Sequence, residues 1–433
     1  MFKIKSYLNI FIYIYFIVLI LILSYLFIKD YTEIKYLNIS IIIFLISLIS
    51  IIYFSHNEIK KYFIIIFSTI LFSFYLFEIN IMYNFIGFDH RQKNSSYFQL
   101  RKSIDDVRLF SLKHFKKHDI QTLSGIINSR TINCNEDGYY SIYHSDRFGF
   151  NNNDSEHDKK IVKYLLLGDS FAMSDCVNRP YDIASQLINY DSKKGVLSFG
   201  YPGTTILSQY ATLREYLVPN IENVILFFYE GNDLFDLEKE LTNPILLKYL
   251  EDLNFSQGLK NDQNKINDLM KTNFFNLVKK HEILKKRKIK NFFKLYETRR
   301  LFFGETRISQ YKQQQGYNFM ELIKFNKNKI KINELANHYN KILNLISDLL
   351  LKQNTKLFIA YLPQYERYSE NYNNPSYEII KDVAKKNNIK FIDFHKDIFS
   401  KEVDYSRLFP TIPGHYNEHG YKKISELIYR IVK

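Results

Sequence analysis

Four short blocks of small and polar residues have the types and spacing needed for nucleophilic catalysis by a serine. They read GDSF at 168–171, SFGYPG at 198–203, EGND at 230–233 and GHYNEHGY at 414–421. A serine hydroxyl becomes a good nucleophile only when a neighbouring base takes its proton, and Ser170 and His415 are residues of these two types. Acyl transfer also needs donors aimed at a developing oxyanion. The N–H groups of Gly203 and Ser170 and the side-chain amide of Asn232 are the candidates.

Each of these residues also has a plainer interpretation. Ser170 fits a helix N-cap, Gly203 fits a turn, and Gly200 is a rival to Gly203 as the oxyanion donor. The pair Asn232-Asp233 fits a turn. In the last block, His419 is an alternative base, but it lies four residues further along the same predicted helix. We therefore favour the first histidine of that block.

The elements that must position these residues are predicted strands alternating with predicted helices. The strands are expected at Ile161–Leu167, Gly195–Phe199, Asn223–Phe228, Lys356–Leu362 and Lys390–Phe394. The helices are expected at Asp182–Tyr190, Ser208–Leu217, Lys331–Leu351 and Tyr377–Lys386. Apolar strands that alternate with helices are typical of a parallel sheet covered on both faces. Because chemistry collects at the carboxyl ends of such strands, the four blocks are expected to meet at one edge of the sheet.

Together the four blocks resemble the SGNH (GDSL-type) hydrolase superfamily. The resemblance extends over residues 143–433 apart from an insertion, and the lead-in Ser145–Phe150 is similar to the sequence before the GDS block in membrane-anchored bacterial members. It implies a flavodoxin-like three-layer α/β domain with a parallel sheet, and an activity on ester bonds. It also implies that Ser170 is the nucleophile, His415 the base, and Gly203 and Asn232 parts of the oxyanion hole.

The chain departs from the family pattern at two places. Ser198 stands where the second block usually has Asn, and Ile412 stands where the last block usually has an Asp three residues before the histidine. No carboxylate lies within Pro410–Gly414. Three options remain open: another acid reaches the site, with Asp404 the nearest upstream; a Ser–His dyad is oriented by a backbone carbonyl; or the domain is impaired as an enzyme. The catalytic acid is therefore unassigned.

Cys134 and Cys176 are the only two cysteines, too few for a zinc ribbon or a disulfide-dense scaffold. Outside the cytoplasm they could form a disulfide that holds the lead-in against the active-site helix, and two buried thiols are the alternative. The sequence shows no metal-ligand spacing, P-loop or dinucleotide fingerprint. We therefore expect no cofactor and no metal.

Three apolar runs near the N-terminus predict a membrane anchor. Leu8–Ile28, Tyr36–Phe54 and Tyr62–Tyr83 each approach the ~20 residues that cross a bilayer as a helix. The first run is too long and lacks the cleavage site of a removable signal peptide. The lysines before the first run and after the second favour a cytoplasmic N-terminus, whereas the basic residues after the third run argue the other way. We expect a multi-pass membrane protein with its catalytic domain on the extracytoplasmic (periplasmic) side.

The remaining organisation follows from length and composition. The 433 residues are 46% apolar with 14 Gly and 8 Pro, which excludes a disordered or linker-like chain. We expect a three-helix anchor at 1–88, a connecting region at 89–142 with a helix or two in its first part, and a hydrolase-like domain at 143–433. A basic helical insertion is expected at about 237–328, with its core at 281–300. Although the net charge is +14, no aromatic-basic module supports nucleic-acid binding.

These inferences converge on a membrane-anchored serine esterase. Its expected substrates are O-acyl groups of a cell-envelope or exported carbohydrate, and its expected partners are the lipid bilayer and that ester substrate. One alternative is an O-acyltransferase for an exported polysaccharide that uses the same acyl-serine chemistry, with a membrane acyl-transfer partner. The other is a catalytically weak envelope binding protein, which the unassigned acid supports.

Overall fold

The computed structural model describes residues 57–83, 107–109, 120–270 and 329–432, together with residues 292, 295 and 298. Within these ranges residues 135, 138, 369–371 and 411–412 are left out of the description. The chain divides into two units. One comprises residues 1–86 and 282–302, and the other comprises residues 87–281 and 303–433.

The first unit contains the helix α1 (Asn57–Tyr83). The third predicted span lies on this helix, whereas the first two predicted spans lie outside the described residues. Glu78 of α1 is buried, and its carboxylate accepts the backbone N–H of Thr298 at 2.7 Å. Large apolar side chains along the helix are exposed: Tyr62, Ile65, Ile66, Ile70, Phe72, Phe74 and Leu76. Among the residues described in full, no helix has both the length and the apolar character that crossing a membrane requires.

The first described elements of the second unit form a small sheet that the sequence did not predict. Its strands are β1 (Val107–Leu109), β2 (Arg130–Ile132) and β3 (Ile142–His144), with β1 parallel and β3 antiparallel to β2. The helix or two expected in the connecting region stay a prediction, because most of residues 89–119 lie outside the described residues. Strands of three residues are too short to produce a readable alternation of apolar and polar side chains.

The main sheet has five parallel strands in the order β5-β4-β6-β7-β8. In chain order, the strands of this sheet and the helices between and after them are β4 (Val162–Leu167), α2 (Ser170–Met173), α3 (Ile183–Tyr190), β5 (Gly195–Ser198), α4 (Ile206–Tyr216), β6 (Ile221–Tyr229), α5 (Asp233–Glu240), α6 (Pro244–Glu251), α7 (Lys329–Leu351), β7 (Lys356–Leu362), α8 (Ser376–Lys386), β8 (Lys390–Asp393), α9 (Phe394–Asp397) and α10 (Glu418–Ile431). Numbered within the sheet, this order is the 2-1-3-4-5 arrangement of flavodoxin-like folds. The predicted α/β class with a parallel sheet is confirmed.

Helices cover both faces of this sheet, and the strand side chains alternate between the two faces. From β4, Leu165 and Leu167 enter the core beneath α4, α7 and α8, whereas Tyr164 and Leu166 enter the core beneath α3 and α10. All four side chains are 0% exposed. Burial on both faces explains why the strands are continuous apolar runs in the sequence. These runs made the elements easy to recognise, and each predicted strand and helix begins and ends within two residues of the observed bounds.

The insertion is described only in part. Its first portion forms α5, α6 and a helical stretch at 263–270, all packed in the second unit. The basic core at 281–300 lies outside the described residues except for residues 292, 295 and 298.

Candidate active site

Ser170 opens the short helix α2, three residues beyond the carboxyl end of β4, the strand that lies between β5 and β6. Asp169 caps this helix, and its carboxylate accepts the N–H of Phe171 at 2.9 Å. The loop after β5 packs tightly on the same helix, because a Cβ on Gly200 would lie 2.3 Å from the backbone nitrogen of Met173. Glycine is needed there to let the two backbones approach. These contacts fix the turn that carries Ser170, whose side chain stays partly exposed.

His415 lies in the loop that leads into α10. Asn417 caps this helix by accepting the N–H of Gly420 at 3.0 Å. The Nε2 atom of His415 is 2.9 Å from the Oγ atom of Ser170. His419, the alternative base, is exposed on the surface of α10. The structure thus brings together the nucleophile and the base that the sequence favours.

A third residue, Glu136, completes this hydrogen-bonded series. Its Oε1 atom is 2.8 Å from Nδ1 of His415, and its Oε2 atom accepts the backbone N–H of His415 at 2.7 Å. Glu136 belongs to the loop between β2 and β3, 279 positions before the histidine. Asp404, the upstream acid considered from the sequence, is instead exposed and accepts the N–H of Ser406 in a short 3₁₀ turn. The carboxylate beside the histidine therefore comes from the lead-in segment.

Sequence reasoning missed Glu136, although one signal pointed to it. The structure joins Cys134 and Cys176 in a disulfide. Cys176 follows Ser170 by six residues, and its Sγ atom lies 3.3 Å from Nδ1 of His415. Because Cys134 precedes Glu136 by two residues, a tether between the two cysteines carries this acid to the site.

The charges around His415 favour its protonated form. Burial alone lowers the pKa of His415, but the charge and hydrogen bond of Glu136, helped by the charges of Asp175 and Asp169, raise it to about 9. Burial raises the pKa of Asp169 itself to about 7, although the Phe171 N–H and the charge of His415 act in the opposite direction. An imidazolium stabilised by a carboxylate is the species that a serine–histidine site must generate during acyl transfer.

The two predicted oxyanion donors lie beside the nucleophile in the topology. Gly203 follows β5 and Asn232 follows β6, and these strands flank β4 on its two sides. The Asn232 amide donates one proton to Asp236 at 2.6 Å, and an amide nitrogen carries two. The N–H of the rival donor Gly200 is engaged within its own loop, where it donates to the Oγ atom of Ser198 at 3.3 Å. This engagement favours Gly203 over Gly200 as the donor of the second block.

One group of side chains at the site has the composition of a metal site. The ligand atoms of Cys134, Glu136, Cys176 and His415 lie within 4.8 Å of one another. Thiolate and imidazole ligands suit Zn²⁺, but the two sulfurs are joined to each other in this structure. In this state the group offers one imidazole and one carboxylate, and these already contact each other.

Comparison with solved structures finds proteins of similar fold. Similar solved structures include a lipolytic protein of the G-D-S-L family from Desulfitobacterium hafniense (15% identity, covering 63% of this chain and 99% of that one, TM-score 0.34). An acetyl xylan esterase (12% identity, 63% and 100%, TM-score 0.34) and the lipase/acylhydrolase from Enterococcus faecalis (12% identity, 62% and 94%, TM-score 0.30) are also similar. No family model and no curated protein matches the chain. Since the identities and TM-scores are low, the function must be argued from the site itself.

Proposed function

We propose that this protein is a serine esterase in which Ser170, His415 and Glu136 form the catalytic triad. The observation that carries the proposal is the continuous series of contacts from the Ser170 hydroxyl through both ring nitrogens of His415 to the Glu136 carboxylate. Three side chains from separate parts of the chain meet in the order that acyl-serine chemistry requires. Such triads are recognised by geometry and roles, whatever the order of the residues along the chain.

Each residue has a defined task in this proposal. His415 Nε2 takes the proton of Ser170 as the Oγ atom bonds to the acyl carbon of the ester, and it then gives that proton to the departing alcohol. The tetrahedral oxyanion is stabilised by the N–H groups of Gly203 and Ser170 and by the amide of Asn232; losing one such donor typically costs ~10²–10³ in rate. Water then attacks the acyl-serine by the same route, releasing the acid and restoring Ser170.

Glu136 also weakens the case for a catalytically weak binding protein. That alternative depended on the lack of an acid near the last block, and the Glu136 carboxylate occupies the position that an orienting acid needs. Its contacts with both Nδ1 and the backbone N–H of His415 fix the ring tautomer and stabilise the imidazolium.

The proposal extends to location and substrate. We propose that the N-terminal apolar runs anchor the enzyme and that the catalytic unit lies outside the cytoplasm. The exposed apolar side chains of α1 support anchoring, and the Cys134–Cys176 disulfide supports an oxidising compartment. An enzyme placed there would act on O-acyl groups of a cell-envelope or exported carbohydrate. Added protease that degrades the catalytic unit in spheroplasts, while a cytoplasmic marker survives, is the expected topological result.

The central experiment measures serine reactivity in the full chain purified in detergent. A fluorophosphonate probe forms a bond between phosphorus and the oxygen of an activated serine, with loss of fluoride, so it needs no knowledge of the natural substrate. We expect labelling and p-nitrophenyl acetate hydrolysis in the wild type, and loss of both in Ser170→Ala and His415→Ala. Ser192→Ala and His419→Ala, at exposed positions, are the matched controls and should behave as the wild type does.

Two further results would change the conclusion. Labelling that persists in Ser170→Ala would show that the probe reacts elsewhere, and the esterase proposal would be wrong. Capture of the acetyl group by an added oligosaccharide, at the expense of free acetate, would assign the same triad to an O-acyltransferase.

A further inference from the structure

The acid of the proposed triad and one half of the disulfide belong to the same loop. Backbone hydrogen bonds close the base of the loop between β2 and β3: the N–H of Asn133 donates to Ser141 at 2.8 Å, and the N–H of Ser141 donates to Cys134 at 2.9 Å. Cys134 is the last residue of this base before Glu136, which lies two positions further along the loop. The disulfide at Cys134 therefore holds the point from which the acid extends toward His415.

The other half of the disulfide lies against the contact that matters for catalysis. Cys176 is 5% exposed, and its Sγ atom is 3.3 Å from Nδ1 of His415. The Oε1 atom of Glu136 is 2.8 Å from the same nitrogen. The disulfide and the carboxylate therefore converge on one atom of the base.

The ends of the loop have anchors of their own. The side-chain amide of Asn133 donates to Asp175 at 2.8 Å, and the N–H of Ile142 donates to the side chain of Asn178 at 2.8 Å. These two bonds hold the base of the hairpin on the segment that follows α2. They would persist after reduction of the disulfide, whereas the tether next to Glu136 would be lost.

We propose that the Cys134–Cys176 disulfide is a positioning element for Glu136, so that the redox state of the cysteine pair sets the rate of the enzyme. This inference rests on the proposed esterase function. Reduction frees two thiols and leaves the hairpin attached by its base, while the carboxylate is no longer held against Nδ1 of His415. The expected consequence is a slower chemical step in a protein that is still folded.

The test compares oxidised and reduced full-length protein in detergent. A water-soluble phosphine is the reductant: it takes the oxygen of water to become a phosphine oxide, and the two sulfurs become thiols. A chelator is present throughout, because Cys134, Cys176, His415 and Glu136 could together bind Zn²⁺ once the sulfurs are free. Ser170→Ala with reductant gives the blank for direct hydrolysis of the substrate by the phosphine. Circular dichroism confirms that the fold is retained.

On the high-pH plateau we expect kcat to fall by about ten-fold or more on reduction, with KM little changed, because a misplacement of 1 Å can cost ~10²-fold. The pH at which kcat/KM rises should move downward, because the pKa of His415 falls when the Glu136 carboxylate no longer lies beside it. In Glu136→Gln, reduction should change kcat by less than about two-fold, because the two perturbations act through one group. A Cys134→Ser/Cys176→Ser variant, assayed without reductant, should match the reduced wild type.

Three outcomes would overturn this inference. Unchanged kcat and pH dependence on reduction would show that Glu136 needs no tether. Equal losses in the wild type and in Glu136→Gln, or unfolding on reduction, would show that the disulfide acts on the fold and not on the acid. If the oxidised wild type shows no turnover that depends on Ser170, the esterase proposal itself is wrong. This result differs from failure of the tether inference, in which the oxidised and the reduced protein are equally active.

Discussion

Replacing Glu136 with glutamine exchanges a charged acceptor beside His415 for a neutral amide of nearly the same size. The amide oxygen can still accept a hydrogen bond from the ring or from the backbone N–H of His415, so the shape of the site is retained. What is lost is the negative charge 2.8 Å from Nδ1. The variant therefore isolates the electrostatic part of the proposed role of Glu136.

The structure gives the direction and scale of the change. The pKa of His415 rises from its ordinary 6.5 to about 9 in spite of burial, with Glu136 the largest contributor to the rise. That difference corresponds to about 3 kcal/mol in favour of the imidazolium. Without the carboxylate, burial still lowers the pKa of His415 while only the more minor charges of Asp175 and Asp169 raise it, so the pKa must fall.

The sign of the pH effect follows from the role of the base. His415 removes a proton from Ser170 only when the ring is neutral, so kcat/KM of the wild type should rise with pH to a plateau above its pKa of about 9. In Glu136→Gln the rise should occur at lower pH. The plateau should fall by ~10²–10⁴, since loss of the equivalent acid in a serine protease costs ~10⁴.

The two effects oppose each other at neutral pH. With a pKa of about 9, only about 1% of His415 is neutral at pH 7 in the wild type, whereas a larger fraction is neutral in the variant. The ratio of wild-type to variant rates should therefore be smaller at pH 7 than on the plateau. Initial rates of p-nitrophenyl acetate hydrolysis from pH 5 to 10, with Ser170→Ala as the blank, measure both quantities.

Asp137→Asn is the matched control for this experiment. It removes the next carboxylate along the same loop, so general effects of charge on the loop should appear there as well. We expect its pH dependence to follow that of the wild type. An unchanged rise and plateau in Glu136→Gln, or an equal change in Asp137→Asn, would refute the assignment of Glu136 as the acid.

Three further substitutions test the supports of the site. In Gly414→Ala the new Cβ would lie 2.3 Å from Oε1 of Glu136, the movable end of a side chain, so activity should fall at least about ten-fold while the melting temperature changes little; retained activity would count against this packing. Glu240→Gln should destabilise the protein by about 2 kcal/mol in urea unfolding, because the buried carboxylate accepts N–H groups at the start of α4 at 2.8 and 3.1 Å. Asp146→Asn should cost about 3 kcal/mol in the same measurement, because this buried carboxylate accepts four hydrogen bonds, including 2.8 Å to His157. A change below about 0.5 kcal/mol in either stability variant would show that its contacts are not formed in solution.

The elements of the main sheet could be predicted because their burial leaves a strong pattern in the sequence. Lys356–Leu362 was predicted as a strand with the observed bounds, and its apolar run is flanked by polar turns. The blocks that follow β4, β5 and β6 could be placed at one edge because parallel strands end on the same side. His415 could be named as the candidate base because the last block keeps the spacing of its histidine, asparagine and glycine.

The small sheet and the acid could not be predicted in the same way. Strands such as Arg130–Ile132 span three residues, which is too short for periodicity, and their partners are set by tertiary contacts. Glu136 belongs to no recognisable block and meets His415 only through folding across 279 positions. The cysteine pair indicated that this loop could lie near Ser170, but it did not identify Glu136 as the acid.

The position of Glu136 also explains two features that are otherwise unrelated. Residue 414 is glycine, and any side chain there would collide with the Glu136 carboxylate. The Sγ atom of Cys176 lies within 4.8 Å of the same carboxylate, and Cys176 is joined to Cys134, two positions before Glu136. A triad requires only that some carboxylate reach Nδ1 of the base, and an acid supplied by a loop is less constrained than one fixed in the motif next to the histidine. An acid supplied by a loop needs room beside the histidine and a contact that holds the loop in place. Gly414 provides the room and the disulfide holds the loop, and both features around one side chain are difficult to explain if Glu136 has no role in the chemistry.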